Sequence, residues 1–220
     1  MKKGNKILCL MLAVMVMATF MLAGCGNNNS DKNSNASTGN NDTKKSDDKD
    51  SDELLSGKHH VVIDVKDYGK IEVELDADTA PITVTNFVNL AKSKFYDGLT
   101  FHRIISGFMI QGGDPLGNGT GGSDKQIKGE FAANNVENGI SHVRGTISMA
   151  RATPYDSASS QFFIMHQDYT SLDGMYAAFG SVTSGMEVVD KIVEDAKPID
   201  KNGTIPADEQ PVINSITVVD

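Results

Sequence analysis

Short apolar runs punctuated by glycine and turn residues fill the chain from about residue 58 to its end. Val61, Ile63 and Val65 alternate with more polar neighbours, and a second alternating run begins at Ile71 after a turn at 67–69. This stretch predicts a β-hairpin. Further short apolar runs lie at 101–105, 108–110, 145–150, 161–165, 177–182 and 212–219. So many short strands predict a mainly β domain.

Two helical patterns interrupt these strands. Pro81 stands where the first turn of a helix tolerates proline, and an apolar stripe with helical spacing follows it at Val84, Phe87, Val88 and Ala91. For the second helix, Ser184 and Glu187 have the spacing of a capping box, and the predicted apolar stripe is Val182, Met186, Val189 and Val193. A parallel α/β fold needs a helix between successive strands. Two helices are too few, so the pattern favours a closed antiparallel barrel.

The N-terminal segment has the composition of an export signal. Three lysines among the first six residues precede an apolar stretch at 7–23 with one polar residue, a length at the short edge of a membrane-spanning helix. The residues Leu22-Ala23-Gly24-Cys25 resemble the lipobox of bacterial lipoprotein precursors. The resemblance implies that residues 1–24 are a signal peptide and that Cys25 is lipidated. The alternatives are a plain export signal, or an uncleaved anchor in which Cys25 is incidental.

A polar segment separates this signal from the β-rich part. Between positions 26 and 57 the aliphatic residues are Ala36, Leu54 and Leu55, too few to offset the entropy of ordering the chain. We therefore expect residues 25–57 to be the lipidated cysteine and a disordered tether, and residues 58–220 to be the folded domain. These features predict a protein held through Cys25 on the extracytoplasmic face of the cell membrane.

Charge and motif context argue against two kinds of ligand. The formal net charge of −9 disfavours a nucleic-acid partner, which needs a clustered basic face. The spacing Gly117-x-Gly119-x-x-Gly122 matches a dinucleotide fingerprint, but no helical periodicity follows it, so we expect a glycine-rich surface loop. His59 and His60 are adjacent, and adjacent strand residues point to opposite faces, so no metal site is predicted.

Residues 101–114 carry the clearest chemical signal. The stretch is Phe-His-Arg-Ile-Ile-Ser-Gly-Phe-Met-Ile-Gln-Gly-Gly-Asp, which places Arg103, Phe108 and Gln111 on two strands joined by a tight turn. Arginine keeps its proton in proteins, so Arg103 can donate hydrogen bonds but cannot act as a base. Beside an aromatic side chain, it suits an uncharged ligand with a carbonyl group and an apolar ring. From this stretch alone, an arginine paired with a surface carboxylate is an equal alternative.

This stretch resembles the signature of the cyclophilins, the cyclosporin-binding class of peptidyl-prolyl cis-trans isomerases. Three further segments, 145–151, 160–164 and 172–180, resemble the family in the same order. The resemblance covers essentially all of residues 60–220. It implies a closed eight-stranded antiparallel β-barrel with an α-helix closing each end. It also implies isomerisation of Xaa-Pro peptide bonds with no metal or other cofactor.

The resemblance assigns roles to individual residues. Arg103 matches the catalytic arginine, and Gln111 matches the residue that supports it and contacts the substrate backbone. The family's proline-pocket walls match Phe108, Met109, Phe163 and Leu172. The segment that pairs with the substrate main chain matches Ala150 and Arg151. His102 belongs to the motif as a structural residue.

Two positions depart from the family pattern. Ser171 stands where many eukaryotic members have tryptophan, and Tyr176 stands where they have histidine. We expect Tyr176 to contact substrate at the rim. Because a large apolar face is missing at Ser171, we expect weak cyclosporin binding.

The sequence is compatible with two classes of function. One is an isomerase, working as a monomer on proline-containing exported polypeptides. The other is a module or chaperone that binds proline-containing segments without turnover. The intact set of Arg103, Phe108, Gln111 and Phe163 favours the isomerase. A solute-binding import lipoprotein is disfavoured because such proteins need two α/β lobes.

Overall fold

The computed structural model describes residues 53–220. The predicted signal peptide, Cys25 and the predicted tether up to residue 52 lie outside the described residues.

The end of the predicted tether lies against the domain. Leu55 packs on the core and its N–H donates to Thr85 Oγ1 at 2.8 Å, while the Gly57 N–H donates to the Asp78 carboxylate at 2.8 Å. Folded contacts therefore begin a few residues before position 58.

The described residues contain eight strands and two α-helices. The strands are β1 (Lys58–Val65), β2 (Gly69–Asp76), β3 (Thr100–Ile105), β4 (Met109–Asp114), β5 (Thr146–Met149), β6 (Phe162–Met165), β7 (Ala178–Ser184) and β8 (Ile213–Val218). The helices are α1 (Pro81–Lys92) and α2 (Met186–Asp195), and short 3₁₀ turns lie at Ala132–Asn134 and Thr170–Leu172. The predicted mainly β class, the β1–β2 hairpin and the presence of both helices are confirmed. The stripe predicted for the second helix is wrong in part, because Val182 lies in β7 and the buried residues of α2 are Val188, Val189 and Ile192. Within residues 53–220, neither helix has the length and apolar character needed to cross a bilayer.

The strands form one antiparallel sheet in the order β3-β4-β6-β5-β7-β2-β1-β8. The sheet is an open half-barrel, so the prediction of a closed barrel is wrong. Its edge strands β3 and β8 meet at their first residues. There Thr100 bridges Val212 and the Phe101 N–H donates to Pro211 O, while Ile213 exchanges backbone hydrogen bonds with Gly98 and Leu99. Beyond that point β3 bonds to the loop before β8, since the Ile104 N–H donates to Gly203 O and the Ile205 N–H donates to His102 O. This loop occupies the edge that closure would require.

Alternation along the strands fills the concave side of the sheet. In β1, for example, Val61, Ile63 and Val65 are all buried. Their neighbours in the core include Phe87 of α1, whose ring lies 5.1 Å from Tyr96, 5.4 Å from Phe162 and 5.2 Å from Phe179, centroid to centroid. Such contacts between large aromatic rings dominate burial energetics. The main core is therefore aromatic and lies between the sheet and the helices.

The two helices begin differently. Pro81 occupies the first turn of α1 as predicted, and the free N–H groups of Ile82 and Thr83 donate to the Glu130 carboxylate at 3.0 and 2.7 Å. The predicted capping box of the second helix is wrong. Ser184 ends β7, and Gly185 precedes α2 with φ of 92° and no side-chain cap. A Cβ on Gly185 would lie 2.3 Å from Lys70 O, so close backbone approach determines that residue.

Candidate active site

A second, smaller apolar cluster lies on the other face of the same strands. Its buried members are Met109, Phe163 and Met165. On β6 these alternate with Phe162 and Ile164, which belong to the main core, as expected from side chains that point to opposite faces of a strand. The partly buried residues around the cluster are Ile105, Phe108, Ala150, Leu172 and Tyr176. Each predicted wall residue of the proline pocket therefore lies in one cluster.

Arg103 lies at the edge of this cluster, held from two sides. Arg103 on β3 pairs with Gln111 on β4, and its Nη1 donates to Gln111 Oε1 at 3.0 Å. Its Nε donates to Asn202 O at 2.7 Å. Burial lowers the pKa of the guanidinium, and Tyr176 and Asp200 oppose that shift. Arginine still remains protonated, so the site holds one fixed, partly desolvated cation beside an apolar pocket.

The support of Gln111 continues one residue further. Gln111 Nε2 donates to Gln161 Oε1 at 2.9 Å, and Gln161 Nε2 donates to Gly121 O at 2.8 Å. Gly121 belongs to the loop that follows β4. The side-chain amides of Gln111 and Gln161 therefore each accept one hydrogen bond and donate another. These bonds fix the orientation of both amides, so that Gln111 Oε1 faces Arg103.

The loop after β4 is organised by a buried carboxylate. Asp114 is 1% exposed and accepts from the N–H groups of Leu116, Asn118 and Gly119 at 2.8, 3.1 and 2.6 Å. Although burial opposes ionisation, these backbone donors lower the pKa of Asp114. The glycine-spaced segment is thus a loop whose amides bind the protein's own carboxylate.

His102 is buried, as a structural residue would be, and burial lowers its pKa.

A buried polar group backs the pocket behind Phe163. The His142 ring lies 6.0 Å from the Phe163 ring at an interplanar angle of 20°. Its Nδ1 lies 2.8 Å from Asp173 Oδ1 and its Nε2 lies 3.0 Å from Ser148 Oγ. An ionised carboxylate only accepts, so Nδ1 donates and Nε2 accepts from Ser148. Burial lowers the pKa of His142, although Asp173 opposes the shift.

The second arginine of the site lies among aromatic rings. The Arg151 guanidinium carbon is 5.0 Å from the Phe131 ring centroid, 5.1 Å from that of Tyr155 and 4.7 Å from that of Tyr176. Arg151 Nη2 and Nε donate to Met175 O at 2.8 and 3.0 Å. Cation–π contacts of this kind hold a guanidinium in one place.

The structure brings all nine predicted site residues of the domain to this face. Cys25, the predicted lipidation site, lies outside the described residues. Sequence reasoning missed Gln161, His142, Met165 and Tyr169, whose ring lies 4.8 Å from that of Phe108. Alternation could have found two of them, because Gln161, Phe163 and Met165 are spaced by two residues. His142 lies in an irregular segment, where no pattern indicates its position.

Comparisons with known proteins agree with this geometry. The family described as "Cyclophilin type peptidyl-prolyl cis-trans isomerase/CLD" matches residues 60–218. The chain belongs to the cyclophilin family. It is 50% identical over 123 residues to peptidyl-prolyl cis-trans isomerase B of Bacillus subtilis (strain 168), covering 56% of this chain and 82% of that protein.

A second sequence relative and a solved structure are also similar to this chain. A peptidyl-prolyl cis-trans isomerase of Helicobacter pylori (strain ATCC 700392 / 26695) is 50% identical over 126 residues, which are 56% of this chain and 74% of the relative. A crystal structure of a cyclophilin-type isomerase from Cryptosporidium parvum, determined with the dipeptide Ala-Pro, is 31% identical with a TM-score of 0.64. The match covers 73% of this chain and 99% of that one. This cyclophilin is therefore a peptidyl-prolyl cis-trans isomerase.

Proposed function

We propose that this isomerase accelerates Xaa-Pro isomerisation in proteins folding outside the cytoplasmic membrane. Rotation about a peptide bond meets a barrier of about 18–20 kcal/mol, because the C–N bond has partial double-bond character. For Xaa-Pro the two isomers have similar free energies but exchange over tens of seconds or more. A catalyst needs only to bind the twisted amide more tightly than either planar form.

Arg103 supplies that preference in the proposed mechanism. In the twisted amide the proline nitrogen regains its lone pair, and a guanidinium N–H can donate a hydrogen bond to it. The planar amide offers no such acceptor, so the contact is stronger in the transition state. The observation that carries the proposal is the placement of Arg103, bonded to Gln111 and to Asn202 O, beside the cluster containing Phe163.

The pocket and its neighbours divide the remaining work. Phe108, Met109, Phe163 and Leu172 hold the proline ring while the preceding residue rotates, and Ala150, Arg151 and Tyr176 contact the rest of the substrate. No bond is broken and no proton is transferred. All of these residues come from one chain, which favours a monomer as the active unit.

The test is direct measurement of cis–trans exchange by NMR on an Xaa-Pro peptide. Arg103→Ala should lower kcat/KM by at least about a hundredfold, the effect of removing a donor to a charge-developing centre. Arg103→Lys should also lose most of the wild-type kcat/KM, because a point charge lacks the planar guanidinium fork. Circular dichroism and denaturant unfolding control for folding. Near-normal turnover by Arg103→Ala would refute the mechanism, and peptide binding by the wild-type chain without exchange would favour a binding module.

Membrane attachment is the second part of the proposal. Cys25, in the segment Leu22-Ala23-Gly24-Cys25, carries the lipid and holds the isomerase at the extracytoplasmic face of the membrane. Stable anchoring requires two acyl chains. Cys25→Ser should abolish labelling by a radioactive fatty acid and leave a precursor larger than the mature form. Labelling that persists in Cys25→Ser would overturn the assignment, and Cys9→Ser is the matched control.

A further inference from the structure

Arg151 is fixed in position by its surroundings. Three aromatic rings lie around its guanidinium, and it donates to the carbonyl oxygens of Met175, Ala152 and Thr153. These acceptors carry no net charge. Among the described contacts Nη2 makes a single hydrogen bond, to Met175 O, so one of its two N–H groups remains to donate. The side chain is an immobilised cation with a free donor.

The positive charge of Arg151 is not neutralised within the described part of the chain. No carboxylate of residues 53–220 lies within 4.0 Å of the nitrogens of Arg151 or Arg103, whereas Arg144 pairs with Asp190 at 2.7 Å. Asp156, five residues after Arg151, and Asp173, two residues before the Met175 carbonyl that Arg151 contacts, have other partners. Asp156 accepts from Gly129 and Asn134, and Asp173 accepts from Ser141 and His142.

Arg151 lies beside the proposed reaction site. Tyr176 belongs to the pocket cluster, and so does Met109, whose Sδ lies 3.9 Å from Arg103 Nη1. The Arg151 guanidinium is 4.7 Å from the ring of the same tyrosine. Two guanidinium groups therefore border the pocket cluster. Neither has a carboxylate within 4.0 Å among residues 53–220, and the charge of Asp200 acts on Arg103 from further away. A substrate carboxylate held next to the proline would enter a local positive field.

We propose that this isomerase prefers Xaa-Pro segments that carry Asp or Glu within two residues of the proline, with Arg151 as the specificity-determining residue. The inference rests on the proposed function, because it concerns substrates of the same site. A pre-positioned arginine loses less entropy on binding than a mobile side chain. Its free Nη2 N–H can donate a charge-assisted hydrogen bond to one carboxylate oxygen. The interaction is at the surface and is screened by salt.

The experiment measures kcat/KM of the full chain by exchange NMR, which reads isomerisation directly. The peptides share one sequence around Ala-Pro and carry Glu, Gln or Lys in turn at the positions one and two residues before or after the proline. At one or more positions kcat/KM for the Glu peptide should exceed kcat/KM for the Gln peptide by about two- to fivefold, the range expected from an exposed ion pair. The Lys peptide should have a lower kcat/KM than the Gln peptide. The Glu preference should disappear near 1 M salt, where the screening length is about 3 Å.

Variants assign the preference to a residue. Arg151→Gln should bring the Glu/Gln ratio close to one, and Arg151→Lys should retain part of it. Lys191→Gln makes the same change in net charge on α2, where Lys191 pairs with Asp195 at 2.9 Å, and should leave the ratio intact. If Arg151→Gln folds poorly, Arg151→Lys and the salt dependence still test the inference.

Two results overturn the inference. One is a wild-type Glu/Gln ratio of one at every position, and the other is a preference that survives in Arg151→Gln, which would place it on another group. Failure of the proposed function is a separate result, since the wild-type chain would then show no catalysed exchange on the Gln peptides either.

Discussion

Phe162 and Phe163 are neighbours on β6, yet they belong to two regions that are stabilised differently. Phe162 packs in the main core, edge-to-face against Phe87, Tyr96 and Phe101. Phe163 is part of the small cluster on the opposite face, with His142 stacked behind it. The core is held by apolar burial. The pocket has few buried apolar members, and polar side chains with matched donors and acceptors fix the groups around it.

The pocket keeps its shape although it is open to solvent. A pocket that receives a proline ring must stay open, so its walls cannot be packed on both sides. Two polar series take over that task. Arg103, Gln111 and Gln161 are joined by hydrogen bonds, and His142 joins Asp173 to Ser148. Hydrogen bonds are directional, so they fix orientation where apolar contact alone would not.

The largest expected effect comes from the core. Phe87→Ala should lower the free energy of unfolding by about 3–5 kcal/mol, the cost of deleting a buried phenylalanine. Its kcat/KM per folded molecule should stay near the wild-type value, because Phe87 does not contact the pocket. Phe108→Ala is the matched control at the site. Phe108→Ala should lower the free energy of unfolding much less than Phe87→Ala does, and it should lower kcat/KM much more. Denaturant unfolding measures the stability and exchange NMR measures kcat/KM. Similar stability losses in the two variants would show that the pocket and the core are stabilised in the same way.

The sequence predicted the core better than the site. Alternation in Val61, Ile63 and Val65, and helical spacing after Pro81, follow directly from burial of one face. The capping box at Ser184 and Glu187 was wrong because Gly185 is determined by the approach of Lys70 O, a tertiary contact that local spacing does not contain. The closed barrel was wrong for a similar reason, since a loop rather than β8 pairs with the far part of β3.

The site residues became predictable only through the family resemblance. Arg103 and Gln111 are eight positions apart, and the register of β3 on β4 that pairs them includes irregularities. The partners of Gln161 and His142 are 40 residues away at Gly121 and 31 residues away at Asp173. Such pairs depend on how the whole sheet folds, so no local pattern specifies them.

His142 should give the second largest effect. His142→Leu removes both hydrogen bonds behind the pocket and leaves the buried Ser148 hydroxyl without its partner, at a cost of about 1–3 kcal/mol in unfolding free energy. We expect kcat/KM to fall as well, because Phe163 loses the ring that stacks behind it. His142→Gln, which can donate and accept, should recover part of both losses. Loss of stability with unchanged kcat/KM in His142→Leu would limit this group to a purely structural role.

The pH dependence of stability tests the same histidine. Burial lowers the pKa of His142 in the folded state, so below about pH 6.5 the unfolded chain binds a proton that the folded chain resists. Stability should therefore be complete above that pH and should fall as the solution is acidified. His102 contributes a slope of the same sign, so His142→Gln should reduce the slope without abolishing it. His60→Gln, at an exposed position, is the control, and an unchanged slope in His142→Gln would contradict the assignment.

Ser171 tests whether apolar area can be added at the rim of the pocket. The residue is exposed on the 3₁₀ turn Thr170–Leu172, beside the pocket residue Leu172. The wild-type chain should bind cyclosporin weakly, and Ser171→Trp should tighten inhibition by about tenfold, since burying part of a large apolar side chain contributes more than 1 kcal/mol. Thr170→Trp on the same turn is the matched control. Equal inhibition constants for wild type and Ser171→Trp would show that position 171 does not control the rim.

The smallest expected effect concerns Gln161, which does not reach Arg103 itself. Gln161→Leu removes the acceptor for Gln111 and the donor to Gly121 O, so the Gln111 amide can rotate away from the arginine. Because a hydrogen bond contributes about 0.5–1.5 kcal/mol, kcat/KM should fall by about two- to tenfold. The matched control is Gln210→Leu. Gln210 Nε2 donates to Gly117 O of the same loop at 2.8 Å, but among the described residues no hydrogen bond joins it to Gln111. If both variants lose activity equally, loop stability is responsible. A loss confined to Gln161→Leu, in kcat more than in KM, would identify Gln161 as a residue that positions Arg103.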